Sequence, residues 1–209
     1  MRQIFFIIAL ICFGINSSVA QKTIQKEFSS EGIKTLSIKD DAIFKITVHA
    51  SEEKSIKLSV HISGEHSENV IVEENITENT LSLKTDFSPF FLPEDDKLAA
   101  HKVMAVEVDL TIPQTISLEI KSKLAAVTAE GKIYELAVSI EDGTCVLTNF
   151  TGNAHLKTTD GNIRVRATST VSGQATSTHG TVENKLWGNG KFFVEAESIN
   201  GDISLLQTE

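Results

Sequence analysis

The sequence predicts an all-β fold. The expected form is a right-handed parallel β-helix-like solenoid with coils of about 20 residues, preceded by a less regular β-rich portion. A polar residue followed by glycine recurs four times, and the four glycines are Gly143, Gly161, Gly180 and Gly201. They are separated by 18, 19 and 21 residues, and apolar residues occupy alternate positions around them. A period of two is typical of strands, and a regular step of this length is typical of stacked repeats.

Residues 1–20 have the features of a secretory signal peptide. Arg2 provides the positive charge, residues 4–15 form an apolar run, and Ser18 to Ala20 fit the small-x-small cleavage rule. The run is too short to span a bilayer comfortably. We expect the mature chain to begin at Gln21 and to be exported to the periplasm, the outer surface or the medium.

Residues 21–115 form the less regular β-rich portion. Several short segments rich in Ile, Val, Thr and Phe alternate with turn residues. One long loop is predicted at 86–101, with a short helix beginning at Pro93, because proline followed by acidic residues suits a helix start. Phe90 and Phe91 lie in this loop. They either pack beneath a flap or form an exposed tip that contacts a partner.

Residues 116–209 carry the solenoid repeats, and we expect them to continue the first portion as one domain over 21–209. Each repeat supplies two short strands, and one repeat cannot bury its own apolar face, whereas several stacked repeats can. The turn glycines are expected where the chain needs a positive φ or a tight corner. The small inward residues Ala154, Ala175 and Ala196 indicate a narrow interior.

The charge of the chain limits its partners. The formal net charge is −9, and removal of residues 1–20 takes away only Arg2 and leaves about −10. An acidic exported chain without a basic cluster argues against nucleic acid and anionic membrane surfaces. Beyond the signal, no second apolar stretch reaches the length of a membrane span.

The mature chain keeps a single cysteine, Cys145, which cannot form an internal disulfide. Its position in the repeat matches Ile163, Val182 and Ile203. This register predicts a small buried apolar residue, and the alternative is a reactive or pairing thiol.

The turns and strand ends resemble the bacterial putative-adhesin and adhesin-head domains, which are β-helix-like domains of unknown function common in Bacteroidota. The residues that carry the resemblance are Val19-Ala20-Gln21, Leu110-Thr111-Ile112-Pro113, Asp142-Gly143-Thr144, Thr151-Gly152-Asn153, Asp160-Gly161-Asn162 and Asn200-Gly201-Asp202. The resemblance implies a secreted or surface β-solenoid. It implies no catalytic residue, because the family pattern contains none.

Motifs for chemistry are sparse. We predict no catalytic, cofactor-binding or metal residues, since the hydrolase elbow, the phosphate-binding loop and the zinc-protease helix motif are missing from the sequence. His61 and His66 are the closest histidines but flank a turn glycine. Asp142, Asp160 and Asn200 could form a ladder along one edge, which leaves calcium binding as an open alternative.

Two further groups are candidates for partner contact. Arg164 and Arg166 are predicted on the outward side of one strand, either as a solvated face or as an anion contact. Trp187, Phe192 and Phe193 are expected near the last coil, where aromatic residues plug the end of a solenoid or stack on sugars.

The sequence therefore predicts an exported, non-enzymatic, adhesin-like β-solenoid that presents a surface to a protein or glycan at the cell envelope. One alternative is a carbohydrate-active β-helix enzyme, which rests on fold analogy alone. Another is a structural or sensing module of the envelope.

Overall fold

The computed structural model describes residues 21–91 and 104–208. Fifteen strands and one short 3-10 turn, Ser67–Asn69, account for the regular structure of these residues, and none of them is α-helical. The strands are β1 (Gln21–Ser29), β2 (Thr35–Lys39), β3 (Ile43–Ser51), β4 (Ser55–Ser63), β5 (Val70–Thr77), β6 (Thr80–Phe87), β7 (Ala105–Pro113), β8 (Ser117–Ser122), β9 (Ala126–Ile140), β10 (Cys145–Thr158), β11 (Ile163–Ala167), β12 (Val171–Ser177), β13 (Val182–Asn184), β14 (Phe192–Ser198) and β15 (Ile203–Gln207). The predicted signal peptide and the helix after Pro93 lie outside the described residues.

The strands form one continuous sheet that folds into two faces around a single apolar core. Face A contains, in spatial order, β1, β4, β7, β3, the first part of β9 (126–130), the first part of β10 (145–148), β11, β15 and β13. Face B contains β5, β6, β2, β8, the second part of β9 (135–140), the second part of β10 (154–158), β14 and β12. The long strands β9 and β10 therefore bend from one face to the other.

The repeating unit is a rung, which we define as a face B strand and the face A strand that follows it. Successive rungs pair in parallel, as β2 does with β8 and β3 with β9. Antiparallel pairs occur only at the N-terminal end of the described sheet, where β1 pairs with β4, β4 with β7, and β5 with β6. The prediction of an all-β, solenoid-like fold is confirmed in this form. Strand β3 of the first portion pairs directly with β9 of the second.

The last two rungs are exchanged in space relative to their order in the chain. Strand β14 pairs with both β10 and β12, and β15 pairs with both β11 and β13. The C-terminal rung therefore lies inside the stack, and the preceding rung, β12 with β13, forms the end.

The inward positions follow the alternation in the sequence. Cys145 is fully buried, and its neighbour across the pairing is Ile163, which in turn pairs with Ile203. Burial raises the pKa of the Cys145 thiol to about 12. Val182 occupies the same slot in the end rung, where it is exposed because no further rung of the described chain covers it. The prediction that Cys145 is a buried apolar residue is confirmed.

The turn glycines are required for close approach and not for a left-handed backbone. Positive φ angles occur at five other glycines, including Gly131 and Gly152 at the bends of β9 and β10. The four turn glycines are not among them, so of the two expected reasons, a positive φ or a tight corner, the positive φ is wrong for Gly143, Gly161, Gly180 and Gly201. A β-carbon at any of the four would lie within 2.2 Å of the carbonyl oxygen of the neighbouring turn.

The N-terminal end of the stack is closed by two lysines. Lys22 and Lys26 project from the inward side of β1, and β5 lies opposite with one unpaired edge. The Lys22 ammonium donates to the backbone oxygens of Glu68 and Val70, at 2.8 Å each. The Lys26 ammonium donates to Val72 O at 3.3 Å and to the Glu74 carboxylate at 2.7 Å. These contacts satisfy carbonyls that an edge strand otherwise leaves open for another chain.

Candidate functional site

The most unusual surface feature is a turn that projects Phe90 into solvent. Phe91 N donates to Ser88 O at 3.1 Å, Pro89 is the second residue of the turn, and Phe90 is the third with a φ of 72°. These features define a type II turn, in which glycine normally occupies the third position. The Phe90 side chain is fully exposed.

The base of this turn is fixed by aromatic packing. The Phe91 ring lies 5.3 Å from the Phe87 ring and 5.0 Å from the His66 ring, both between centroids. His66 also has a positive φ, of 65°. We call this group, residues 87–91 with His66, the Phe90 tip. Of the two phenylalanines predicted as partner contacts, Phe91 supports the tip and Phe90 forms its exposed end.

Arg164 and Arg166 lie on the outer surface of face A, as expected from the alternation, and both are exposed. Arg164 is flanked by Val146 and Ser204 on the neighbouring strands. The arginines belong to the β10–β11 rung, whereas the Phe90 tip follows β6. Four strand spacings, about 19 Å, separate the rungs that contain them. The structure therefore does not bring the arginines and the Phe90 tip into one site.

A second polar group on face A surrounds His61. Thr23 Oγ1 lies 3.2 Å from Nδ1 of His61, Ser59 Oγ lies 3.2 Å from Nε2, and Asp109 Oδ2 lies 3.4 Å from the same Nε2. His61 and Asp109 are each half exposed. These contacts link β1, β4 and β7 as cross-strand pairs on an open strand surface. His66 packs on Phe91, so His61 and His66 do not meet.

The acidic turns pair with their own neighbours. Asn200 Nδ2 donates to Asp160 Oδ1 at 2.5 Å, and Asp202 N donates to Asn162 Oδ1 at 2.8 Å. Asp202 Oδ1 accepts from the backbone and side chain of Thr181, and these bonds hold the pKa of Asp202 below its ordinary value. Within 21–91 and 104–208, no group of three or more His, Cys, Asp or Glu residues could hold a metal ion.

Another exposed aromatic side chain lies in the loop that follows the end rung. Trp187 is 76% exposed and follows Leu186, which is buried against the end of the core. Phe192 packs partly against the core, and the Lys191 ammonium lies 5.3 Å from its ring centre. Leu186 and Phe192 close this end, whereas Trp187 stays outside it.

A groove on the outer surface of face B has no counterpart in the sequence-based predictions. Its floor is formed by Ala137 and Ser139 of β9, which are shorter than the outward side chains on the flanking strands. Glu119 and Lys121 of β8 form one wall, and the β10 residues His155 and Lys157 form the other. Glu195 and Glu197 of β14 also line the groove, where they pair with His155 and Lys157. The groove has a volume of about 240 Å³. The residues of this groove come from separate parts of the sequence, and only the register of β8, β9 and β10 brings them together.

Within the parts of the chain described, no helix is long and apolar enough to cross a membrane. Residues 107–208 match the family model described as Toastrack DUF4097. No curated protein matches the chain.

Two crystal structures resemble this chain over most of its length. One, described as a putative cell adhesion protein from Clostridium sporogenes, has 19% identity and a TM-score of 0.63, and the match covers 90% of this chain and 100% of that one. The other, described as a putative adhesin from Bacteroides fragilis, has 12% identity and a TM-score of 0.39, with coverage of 88% and 97%. The predicted resemblance to bacterial putative-adhesin domains is confirmed.

Proposed function

We propose that this protein is an exported, non-enzymatic, adhesin-like protein that binds a protein or glycan at the cell envelope through the Phe90 tip. The single observation that carries the proposal is the combination of full exposure and positive φ at Phe90. The likeness to proteins described as putative adhesins supports a binding role, and the predicted signal peptide supports export.

The energetics of the turn favour a function for Phe90. A bulky residue in the left-handed region costs about 1–3 kcal/mol, and such strain is concentrated at ligand clamps and other functional positions. Among residues 21–91 and 104–208, the exposed side chain makes no packing contact that offsets this cost. Glycine or asparagine would relieve the strain, so folding alone gives no reason for phenylalanine at this position.

The support beneath Phe90 is also suited to binding. Phe91, Phe87 and His66 pack together under the turn, so the orientation of the exposed ring is set before a partner arrives. Pre-organised side chains lose little conformational entropy on binding, and phenylalanine is among the aromatic residues enriched at protein interfaces.

The proposal can be tested by site-specific crosslinking. A photoreactive phenylalanine analogue is placed at position 90 in the mature chain, and at position 134 as a control, because Tyr134 is also exposed but lies at the bend of β9. Each protein is irradiated with an envelope fraction and with immobilised envelope glycans. We expect crosslinked products at position 90 only. Equal products at both positions, or none at position 90, would count against the proposal.

A further inference from the structure

We infer that Arg164 and Arg166 form a docking site for an extended acidic peptide of a partner protein, in which acidic residues occupy alternate positions. Both arginines project from β11 on the outer surface of face A, two residues apart. The site is separate from the Phe90 tip and goes beyond the proposed function. Three features of the pair indicate this ligand: the use of arginine, the free state of both charges and the distance between them.

The chain uses arginine at these two positions and lysine at every other Lys or Arg position after residue 20. The full sequence has 19 such residues, of which 16 are lysine, and the third arginine, Arg2, lies in the predicted signal peptide. Lysine would serve equally well for solubility on an exposed strand. Only the planar guanidinium presents paired donors that match the two oxygens of a carboxylate. The use of arginine at both positions therefore favours carboxylate recognition over a general positive charge.

Outward lysines on both faces of the sheet pair with carboxylates on neighbouring strands. On face A, Lys45 Nζ lies 3.0 Å from the Glu107 carboxylate, and on face B, Lys39 Nζ lies 3.1 Å from that of Glu119. Opposite charges on neighbouring strands stabilise a sheet. Because the chain has an excess of acidic residues, an outward cation is expected to have such a partner.

The two arginines lack a partner of this kind. Arg164 is flanked by Val146 on β10 and by Ser204 on β15. Arg166 lies beside Leu206 on β15. Neither guanidinium makes a hydrogen bond or an ion pair with any part of the chain that the structure describes. The neighbouring positions are uncharged, so both guanidinium groups are available to the carboxylates of a ligand.

Two carboxylates on the C-terminal side of the pair are engaged by other residues. Asp202 accepts from Thr181 N at 2.7 Å and from Thr181 Oγ1 at 2.8 Å. These bonds lower the pKa of Asp202 more than the charge of Arg164 does. Glu183, two strands from Arg164, lies 2.5 Å from Lys185 Nζ. Neither carboxylate therefore neutralises the arginines directly.

The distance between the two arginines matches an extended peptide. Alternate residues of a strand lie on the same side, about 6.6–6.8 Å apart. An extended ligand with acidic residues at alternate positions carries its carboxylates at the same interval, so each guanidinium can bind one of them. Adjacent acidic residues would point to opposite sides, and only one could reach the pair. A chain of acidic sugars has a different repeat, which is set by the length of the sugar ring.

The test is a titration of the mature chain, at low ionic strength, with two blocked synthetic peptides of the same composition. In the first peptide two glutamates are separated by one threonine, and in the second they are adjacent. We expect saturable NMR shifts at the amides of residues 163–167 with the first peptide, and binding at least fivefold weaker with the second. Equal binding of the two peptides would overturn the inference.

Sodium digalacturonate is a third arm, because it carries two carboxylates on a sugar backbone. We expect it to bind at least fivefold more weakly than the peptide with separated glutamates. Digalacturonate that binds residues 163–167 as tightly as this peptide would assign the site to an acidic glycan and would overturn the inference.

Three variants locate the ligand. Arg164→Gln should weaken binding of the peptide with separated glutamates at least fivefold, and Arg164→Lys, which keeps the charge, should weaken it at least threefold. Lys121→Gln is the matched control, because it removes the same charge from an exposed position of face B that also lacks a hydrogen bond or ion pair among the described residues. Melting curves should be unchanged in all three, since each side chain faces solvent.

Two results with these variants would contradict the inference. Equal loss of binding in Arg164→Gln and Lys121→Gln would show a general charge effect. Full binding by Arg164→Lys would show that the guanidinium is not recognised as such. The Phe90 tip plays no part in these measurements, so their outcome is independent of the proposed function.

Discussion

A β-carbon added to Gly161 would lie 1.5 Å from the carbonyl oxygen of Gly143. The same relationship continues along the turns, since a β-carbon on Gly201 would lie 2.0 Å from the oxygen of Gly161. On Gly180 it would lie 2.2 Å from the oxygen of Gly201. The order of these contacts is the order of the rungs in space, with the C-terminal turn between the other two.

Substitution of Gly161 should therefore be severe for a steric reason. Gly161→Ala is expected to lower the free energy of unfolding by at least about 3 kcal/mol, because the neighbouring backbone on both sides prevents relaxation. Gly32 provides the control. Its φ is 79°, but no atom beyond its chain neighbours lies within 4 Å of the position that an added β-carbon would occupy. Gly32→Ala should cost only about 1–2 kcal/mol, the usual cost of a left-handed residue. Chemical denaturation of both variants measures the difference, and equal losses would contradict the steric account.

The sequence predicted the alternation of inward and outward residues well, because burial on one face imposes a period of two. The sequence did not predict why the turns contain glycine. The close approach involves a residue about 20 positions away, and a positive φ is the more common reason for a glycine in a turn. A local signal does accompany these turns. Thr158, Ser177 and Ser198 each precede a turn glycine by three residues, and their hydroxyls bond to turn backbone groups.

The exchange of the last two rungs could not be predicted from the repeat pattern. The last two rungs, β12 with β13 and β14 with β15, have similar alternation of apolar and polar residues. The pattern therefore does not indicate which of them lies next to β10 and β11. The Phe90 turn was also beyond prediction in detail. The Ser-Pro pair favours a turn, but the exposure of Phe90 depends on Phe91 packing against His66, more than 20 residues earlier.

The rung exchange makes a prediction about hydrogen exchange. Backbone amides of β14 and β15 should exchange more slowly than those of β12 and β13, because the former strands are paired on both sides. Deletion of residues 192–209 should also remove the protection of β12 and β13, which would lose their parallel partners. A truncated chain that keeps β12 protected would show that this rung pairs with β10 directly.

The thiol of Cys145 should be unreactive in the folded protein. Its pKa of about 12 means that almost no thiolate forms at pH 8, and its full burial blocks access. We expect the Cys145 thiol of the mature chain to react with a chromogenic disulfide reagent only after addition of denaturant. Cys145→Val should cost less than about 1.5 kcal/mol, since the volume changes little. Rapid labelling of the native protein would mean that Cys145 faces outward.

The lysines of β1 should protect the edge of β5. Lys22→Met removes two hydrogen bonds to backbone oxygens, and we expect a loss of about 1–3 kcal/mol together with a greater tendency to aggregate. Lys34→Met is the control, because Lys34 is exposed and makes no side-chain hydrogen bond or ion pair among the described residues. Light scattering during mild heating measures the effect. Equal scattering by the two variants would argue against this role of Lys22.

The central claim is that Phe90 is retained for binding at a cost to stability. The most direct measurement compares the wild-type protein with Phe90→Asn for both thermal stability and capture of envelope material. Trp187→Asn serves as a control for loss of an exposed aromatic side chain. Asparagine tolerates a positive φ, so the account predicts a melting temperature equal to or above that of the wild type, with capture lost. Capture retained by Phe90→Asn, or a lower melting temperature, would contradict the claim.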